Sequence, residues 1–211
     1  MLVLLVGSYL VGSLPFGVWI GLSLKKVDIR TLGSKNIGTT NVLRVLGPGP
    51  GGIGCFLDTA KGAVALVAAH FLVPHAHPPV LIAIGLAAVL GHSFSPFLRF
   101  QGGKGVATSL GMLFALSWQV ALVGLIAWLI VLAATRYVSL ASLVAAFTLP
   151  FTPPLCLARS DMEPWMLALG ILVAVLVAVK HRGNIDRLLN GTEPKIGQRV
   201  SATSPPEGVS S

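Results

Sequence analysis

From Val106 to Thr135 the chain runs for 30 residues without one charged side chain. As a single helix that stretch would extend about 45 Å, against a bilayer hydrocarbon core of about 30 Å, so it must tilt steeply or break. Ser117 marks the expected break, giving a short helix over Val106–Leu116 that reaches about halfway across a bilayer and a second over Trp118–Thr135. A half-length helix is tolerated only where protein or a water-filled cavity covers its ends. Five further apolar stretches, Leu2–Leu24, Ile53–Val73, Val80–Leu98, Val138–Leu157 and Pro164–Val179, repeat the pattern. Only 10% of the residues are charged, where soluble domains carry about a quarter. The fold expected is an all-α polytopic membrane protein with seven transmembrane helices, one of them short. At about 20 residues per span, nothing is left for a separate soluble catalytic domain.

The charge pattern sets the expected topology. With seven helices and the N-terminus outside, 13 of the 15 Lys and Arg residues fall on the inner side; Arg159 lies outside and Lys61 within the second helix. Six helices would divide them 8 inside to 6 outside, so the positive-inside rule favours seven, with a cytoplasmic C-terminus. The net charge of +8 is read the same way, as topology and contact with anionic headgroups, with no nucleic acid partner expected. The first apolar run lacks a basic n-region and is longer than a signal-peptide core, so it reads as a retained helix, kinked at Ser13-Leu14-Pro15. Cys55 and Cys156 sit in apolar segments without C-x-x-C spacing, and no acidic cluster suggests a magnesium or zinc requirement. No metal and no cofactor is expected.

Every polar, glycine-bearing loop then falls on the inner side. The loop Lys25–Gly52 carries Ser34, Asn36, Asn41 and Arg44, hydroxyl and amide donors beside a guanidinium that can grip phosphate bidentately, and closes on a Gly-Pro run from Gly47 to Gly52. Gly102-Gly103-Lys104-Gly105 leads into the short helix. Glycines there let backbone amides converge as an anion nest, the helix start adds unpaired N–H groups, and Lys104 adds a full charge. It is not a Walker A loop, because Gly105 stands where a Ser or Thr should follow the lysine. Asp58 and Lys61 are spaced to pair on one helix face, and ionisable residues at membrane depth usually line a functional cavity. His92 in the third helix and Lys180–Arg187, with His181 and Asn184, complete the set.

Set side by side, these segments resemble the bacterial membrane family of acyl-phosphate:glycerol-3-phosphate acyltransferases. The likeness runs through S-x-P at Ser13, DIRTLGSKNIGTTNVLRVLG, D-x-x-K-G at Asp58, GHSFSPFLRFQGGKGVAT, Y-x-S-L-x-S from Tyr137 to Ser142, and KHRGNI-x-RLLNGTE. It implies an integral membrane acyltransferase domain over residues 1–193, with residues 194–211 as a disordered cytoplasmic tail rich in Ser, Thr, Pro and Gly. It also implies transfer of a fatty acyl group from acyl phosphate to the sn-1 hydroxyl of glycerol 3-phosphate at the cytoplasmic face of the bacterial inner membrane, giving lysophosphatidic acid and phosphate. The catalytic residues expected are Ser34, Lys104 and His181. Expected substrate and phosphate contacts are Asn36, Asn41, Arg44, Asp58, Lys61, His92, Gly102, Gly103, Gly105, Ser142 and Asn184.

The general base is left open between His181 and the donor phosphate. His181 and Asp186 also form H-x-x-x-x-D, a spacing like that of acyl-CoA-dependent glycerolipid acyltransferases, but nothing else in the chain shares that character. The rival class is a transporter of a phosphorylated solute, since broken helices with glycine loops also build transport sites. Against it stand the absence of a repeat between the halves and the placement of all expected ligands on one face. Acyl-chain preference and oligomeric state are not legible.

Overall fold

The computed structural model describes residues 1–157 and 160–198. Arg159, Arg199 and the expected tail beyond Gln198 lie outside the described residues. Among those described, eleven α-helices and two 3-10 turns form the fold, with no strand. The expected kink near Pro15 is a full break. Helix α1 covers Leu2–Ser13 and α2 covers Phe16–Lys25, because proline offers no amide and its ring collides with the preceding turn.

The loop expected over Lys25–Gly52 is shorter than that. It holds an amphipathic helix, α3, over Thr39–Leu46, and α4 begins at Pro48 and runs to Leu72, five residues ahead of the expected Ile53. The Gly-Pro run separates the two only at Gly47, whose φ of 92° ends α3. Pro48 and Pro50 then fall in the first turn of α4, where backbone amides need no intrahelical partner.

Helix α5, Pro78–Ser93, stops short of the expected Leu98, because Pro96 forces Ser95 to an extended conformation and a 3-10 turn follows over Pro96–Leu98. The long uncharged stretch breaks where expected. Helix α6 is Val106–Leu116 and α7 is Trp118–Thr135, hinged on an extended Ser117 whose hydroxyl accepts the Val120 amide. Helix α8 ends at Thr148, cut from its expected Leu157 end by Pro150, Pro153 and Pro154. These produce a 3-10 turn at Leu149–Phe151 and the short α9 at Pro153–Cys156. Helix α10 covers Glu163–Lys180, and α11, Arg182–Leu189, turns away from its end.

Five helical segments are long and apolar enough to cross a membrane, Leu2–Lys25, Pro48–Leu72, Pro78–Leu98, Trp118–Thr135 and Glu163–Lys180. Val106–Leu116 and Val138–Phe151 are shorter apolar ones. Large apolar side chains such as Val3, Phe71, Ile130 and Leu155 stand exposed around the bundle, as a lipid-facing surface requires. Helix association in lipid depends on close packing, because the tails are as apolar as the side chains. Helices α4 and α6 meet through Gly62 and Gly111, where an added Cβ would overlap the carbonyls of Thr108 and Thr59. The main core gathers Leu66, Ile84, Met112, Leu149, Met166 and Val173. A smaller cluster of Ile29, Ile37, Val42 and Leu98 lies under the loop before α3. Past α11 the chain returns across the start of α8. The Ile196 amide donates to the Arg136 carbonyl at 2.8 Å and Arg136 Nη2 to the Ile196 carbonyl at 3.0 Å.

Candidate active site

Three loops converge at the end of the bundle where α6 begins. The first is shaped by Asn41. That side chain is 1% exposed; its Nδ2 donates to the carbonyls of Ile29, Leu32 and Asn36, and its Oδ1 accepts the Ser34 amide at 2.9 Å. Both polar atoms of the Asn41 side chain are thus engaged within the loop, and the residue also borders the cavity described below. It acts by holding Ser34, Lys35 and Asn36 at the rim. Neither the Ser34 hydroxyl nor the Arg44 guanidinium has a hydrogen-bond partner among the described residues, and both line the cavity described below.

The second loop departs from expectation. The amides of Gly102 and Gly103 do not form an open nest; they donate to the carbonyls of Ser93 and His92 at 3.3 and 3.0 Å. Gly103 is required by contact, since an added Cβ would overlap the His92 ring. Gly105, with φ 77°, turns the chain into α6, so the first-turn amides of that helix and the Lys104 ammonium supply the anion-seeking groups instead. His92 is thus the platform on which this loop lies, rather than a freely presented ligand. Asp58 Oδ1 stands 3.6 Å from His92 Nδ1 and 2.8 Å from Lys61 Nζ. Lys61 in turn donates to the Leu14 carbonyl at 3.0 Å, one of the groups freed by the α1–α2 break. Asp58 and His92 reach the cavity wall; Lys61 is buried behind it.

The third loop supplies residues that the sequence reading did not single out. Lys104 Nζ donates to Asn184 Oδ1, Asn184 Nδ2 donates to Glu193 Oε1 at 2.6 Å, and Glu193 Oε2 accepts Arg187 Nε at 2.7 Å. Burial opposes ionisation of Glu193, but the hydrogen bonds from Asn184 and Arg187 prevail and hold its carboxyl below the usual range. Burial, against the opposing charge of Glu193 and helped by the cationic neighbours Arg187, Arg44 and Lys180, brings Lys104 down to about 8. Burial also depresses the Arg44 guanidinium. His181 is 3% exposed and its Nδ1 lies 2.8 Å from the Val177 carbonyl. A carbonyl can only accept, so Nδ1 carries the proton and Nε2 is left as an acceptor. Burial and the adjacent Lys104 charge lower His181 to about 4, so it is neutral in ordinary buffer. Asp186 is exposed and is not among the residues lining the cavity that His181 borders, so the H-x-x-x-x-D spacing does not bring the two together there. One signal for Glu193 was available: it is an acid at the end of a strongly basic face.

These groups border one cavity of about 540 Å³. Ser34, Asn36, Arg44, Lys104, His181, Asn184 and Glu193 line one end, and the starts of α3 and α6 face it. The other end is apolar, built from Leu110 and Leu113 of α6, Gly124, Leu125 and Trp128 of α7, Ala145 and Leu149 from α8 and its following turn, and Val173 of α10. Ser142 lies on this wall, and its hydroxyl donates to the Val138 carbonyl at 2.8 Å while accepting Trp128 Nε1 at 3.2 Å. It fixes the indole rather than offering a free donor. Among the described residues no group of His, Cys, Asp and Glu is arranged to hold a metal ion.

Residues 2–191 match the protein-family description "Glycerol-3-phosphate acyltransferase". Relatives of that description include one from Gloeobacter violaceus, 46% identical over 194 residues that cover 90% of this chain and 92% of the relative. Another, from Mesorhizobium japonicum, is 43% identical and covers 94% of this chain and 97% of its own. Among solved structures the fold is similar to that of an integral membrane glycerol 3-phosphate acyltransferase, PlsY (YgiH), in its glycerol 3-phosphate form. That likeness has a TM-score of 0.83 and 42% identity over 93% of this chain and 95% of that one. Its lysophosphatidic acid form aligns with a TM-score of 0.81. By sequence along nearly its whole length, and by fold, the chain belongs to the glycerol-3-phosphate acyltransferase family.

Proposed function

We propose that this chain transfers a fatty acyl group from acyl phosphate to the sn-1 hydroxyl of glycerol 3-phosphate, releasing lysophosphatidic acid and inorganic phosphate. The observation that carries the reading is the two-ended cavity: cationic and hydroxyl groups at one end suit two phosphates, and the apolar end suits an acyl chain. The reacting carbonyl then lies where the two ends meet, beside Lys104 and the first turn of α6. Lys104, fixed by Asn184, stabilises the negative charge that develops on the donor. Arg44, Ser34 and Asn36 hold phosphate oxygens, each charge-assisted hydrogen bond contributing about 1.5 to 3 kcal/mol. The glycerol hydroxyl attacks the acyl carbon, the carbon–oxygen bond to the donor phosphate breaks, and the hydroxyl proton passes to that phosphate as it leaves.

A histidine brought down to about 4 holds an abstracted proton poorly at neutral pH, whereas the donor phosphate gains basicity as its bond to the acyl carbon breaks. The donor phosphate is therefore the base, and His181 Nε2 orients the hydroxyl.

The seven apolar segments cross the bacterial inner membrane with the N-terminus outside, and the cavity's polar end faces the cytoplasm. Supporting this are the 13 basic residues that such an arrangement gathers on one side. Residues 1–193 form the acyltransferase domain and the tail follows it on the cytoplasmic side. Purified protein in detergent is expected to release phosphate from acyl phosphate only when glycerol 3-phosphate is present. Uptake of a phosphorylated solute confined to sealed vesicles, with no release in detergent, would mark a transporter instead.

A further inference from the structure

The apolar end of the cavity has a definite floor. The lining residue farthest from the polar end is Leu113 on α6, Ala121 on α7, Leu149 after α8 and Val173 on α10, and all four belong to the packed core. Leu149 is held from behind, because Gly170 lets α10 approach the Leu149–Phe151 turn so closely that an added Cβ would stand 2.9 Å from the Leu149 carbonyl carbon. Just above the floor, Gly124 faces the Leu149 side chain, and a Cβ at that position would lie 3.2 Å from Leu149 Cδ2. The passage to the deepest level is open because position 124 has no side chain.

We infer that the Gly124–Leu149 pair sets the longest acyl chain the cavity accepts. This rests on the reading that the apolar end holds the donor's acyl group. Ala121 and Gly124 are separated by about 4.5 Å along α7, a length of a few methylenes. A side chain at 124 closes that last level, and removal of the Leu149 side chain extends it. The polar end is untouched by either change, so selection falls on the donor alone.

The test is a donor series from ten to eighteen carbons, assayed with purified Gly124→Val, Gly124→Ala and Leu149→Ala alongside the unsubstituted protein. The ratio of kcat/KM for the twelve-carbon donor over the sixteen-carbon donor is expected to rise at least about 10-fold in Gly124→Val, the lower bound for a methylene mismatch in an apolar pocket. It should rise less in Gly124→Ala and move the opposite way in Leu149→Ala, with the KM for glycerol 3-phosphate unchanged throughout. If Gly124→Val fails to fold, the Gly124→Ala and Leu149→Ala shifts carry the test. Unchanged chain-length profiles in active variants overturn the inference while leaving the proposed reaction intact. No transfer by the unsubstituted protein from any donor overturns both.

Discussion

Lys104 carries its charge at the edge of the neutral range, and that has opposite consequences for activity and for folding. Its folded value of about 8 lies below the ordinary lysine value of 10.5. If the ammonium stabilises the transition state, kcat/KM falls as pH rises through about 8, and Lys104→Arg moves that limb upward. In the ligand-free protein the unfolded chain binds more protons between about 8 and 10.5, so this residue's contribution to stability rises over the same window. Measuring the pH–rate profile beside thermal unfolding separates the two. Lys104→Ala is expected to lower turnover by about 100- to 1,000-fold with the fold intact. His181→Gln keeps a neutral hydrogen-bonding side chain and should retain the alkaline limb, raising the KM for glycerol 3-phosphate; loss of an acidic limb instead would make His181 the base. At this scale the legible residues were those whose chemistry has one use. Lys104 among glycines, Arg44 and Ser34 could be singled out because a charge or hydroxyl in a basic loop has few other tasks, and all three border the cavity. Asn41 was less legible because an amide serves a loop as well as it serves a ligand, and the three carbonyls that its side chain gathers come together only in the fold.

At the scale of elements, the breaks explain more than the spans. The sequence located the interruption at Ser117 and the weak point at Pro15, because chain length and a missing amide are local properties. It overlooked α3, whose eight residues hide between glycine and proline, and it ran the third and sixth helices through prolines that stop them. Long-range contacts were out of reach altogether. Nothing local predicts that Lys61 will cap the carbonyl freed at Leu14, or that His92 will bear the Gly102–Gly103 turn. Lys61→Met should therefore cost about 3 to 5 kcal/mol, by leaving Asp58 buried without its cation. The loss would be read as lower thermal stability, with a smaller change in KM. Gly103→Val should lower the melting temperature as well as kcat, because its side chain would overlap the buried His92 ring and push the adjoining Lys104 out of place.

Over the whole molecule, the described chain closes its site from both directions. Glu193 and the strand-like pairing of Ile196 with Arg136 bring the end of the domain back over the start of α8. A protein ending after Gln198 is expected to keep full activity. One ending after Thr192, which lacks Glu193, should lose its hold on Asn184 and fall by at least about 10-fold, since charged hydrogen bonds contribute about 1.5 to 3 kcal/mol. The all-helical membrane class was legible because apolar length is a global sum that survives local errors. The shape of the cavity was not, since its wall is assembled from α6, α7, α8 and α10. That cavity is polar at the end where the cationic loops meet and apolar at the other, the same polarity as half a bilayer. On the proposed topology the product is thus made already oriented as a lipid of the cytoplasmic leaflet, head toward water and tail toward the midplane. Its departure is a sideways step into the membrane, with no flip and no exposure of the chain to solvent.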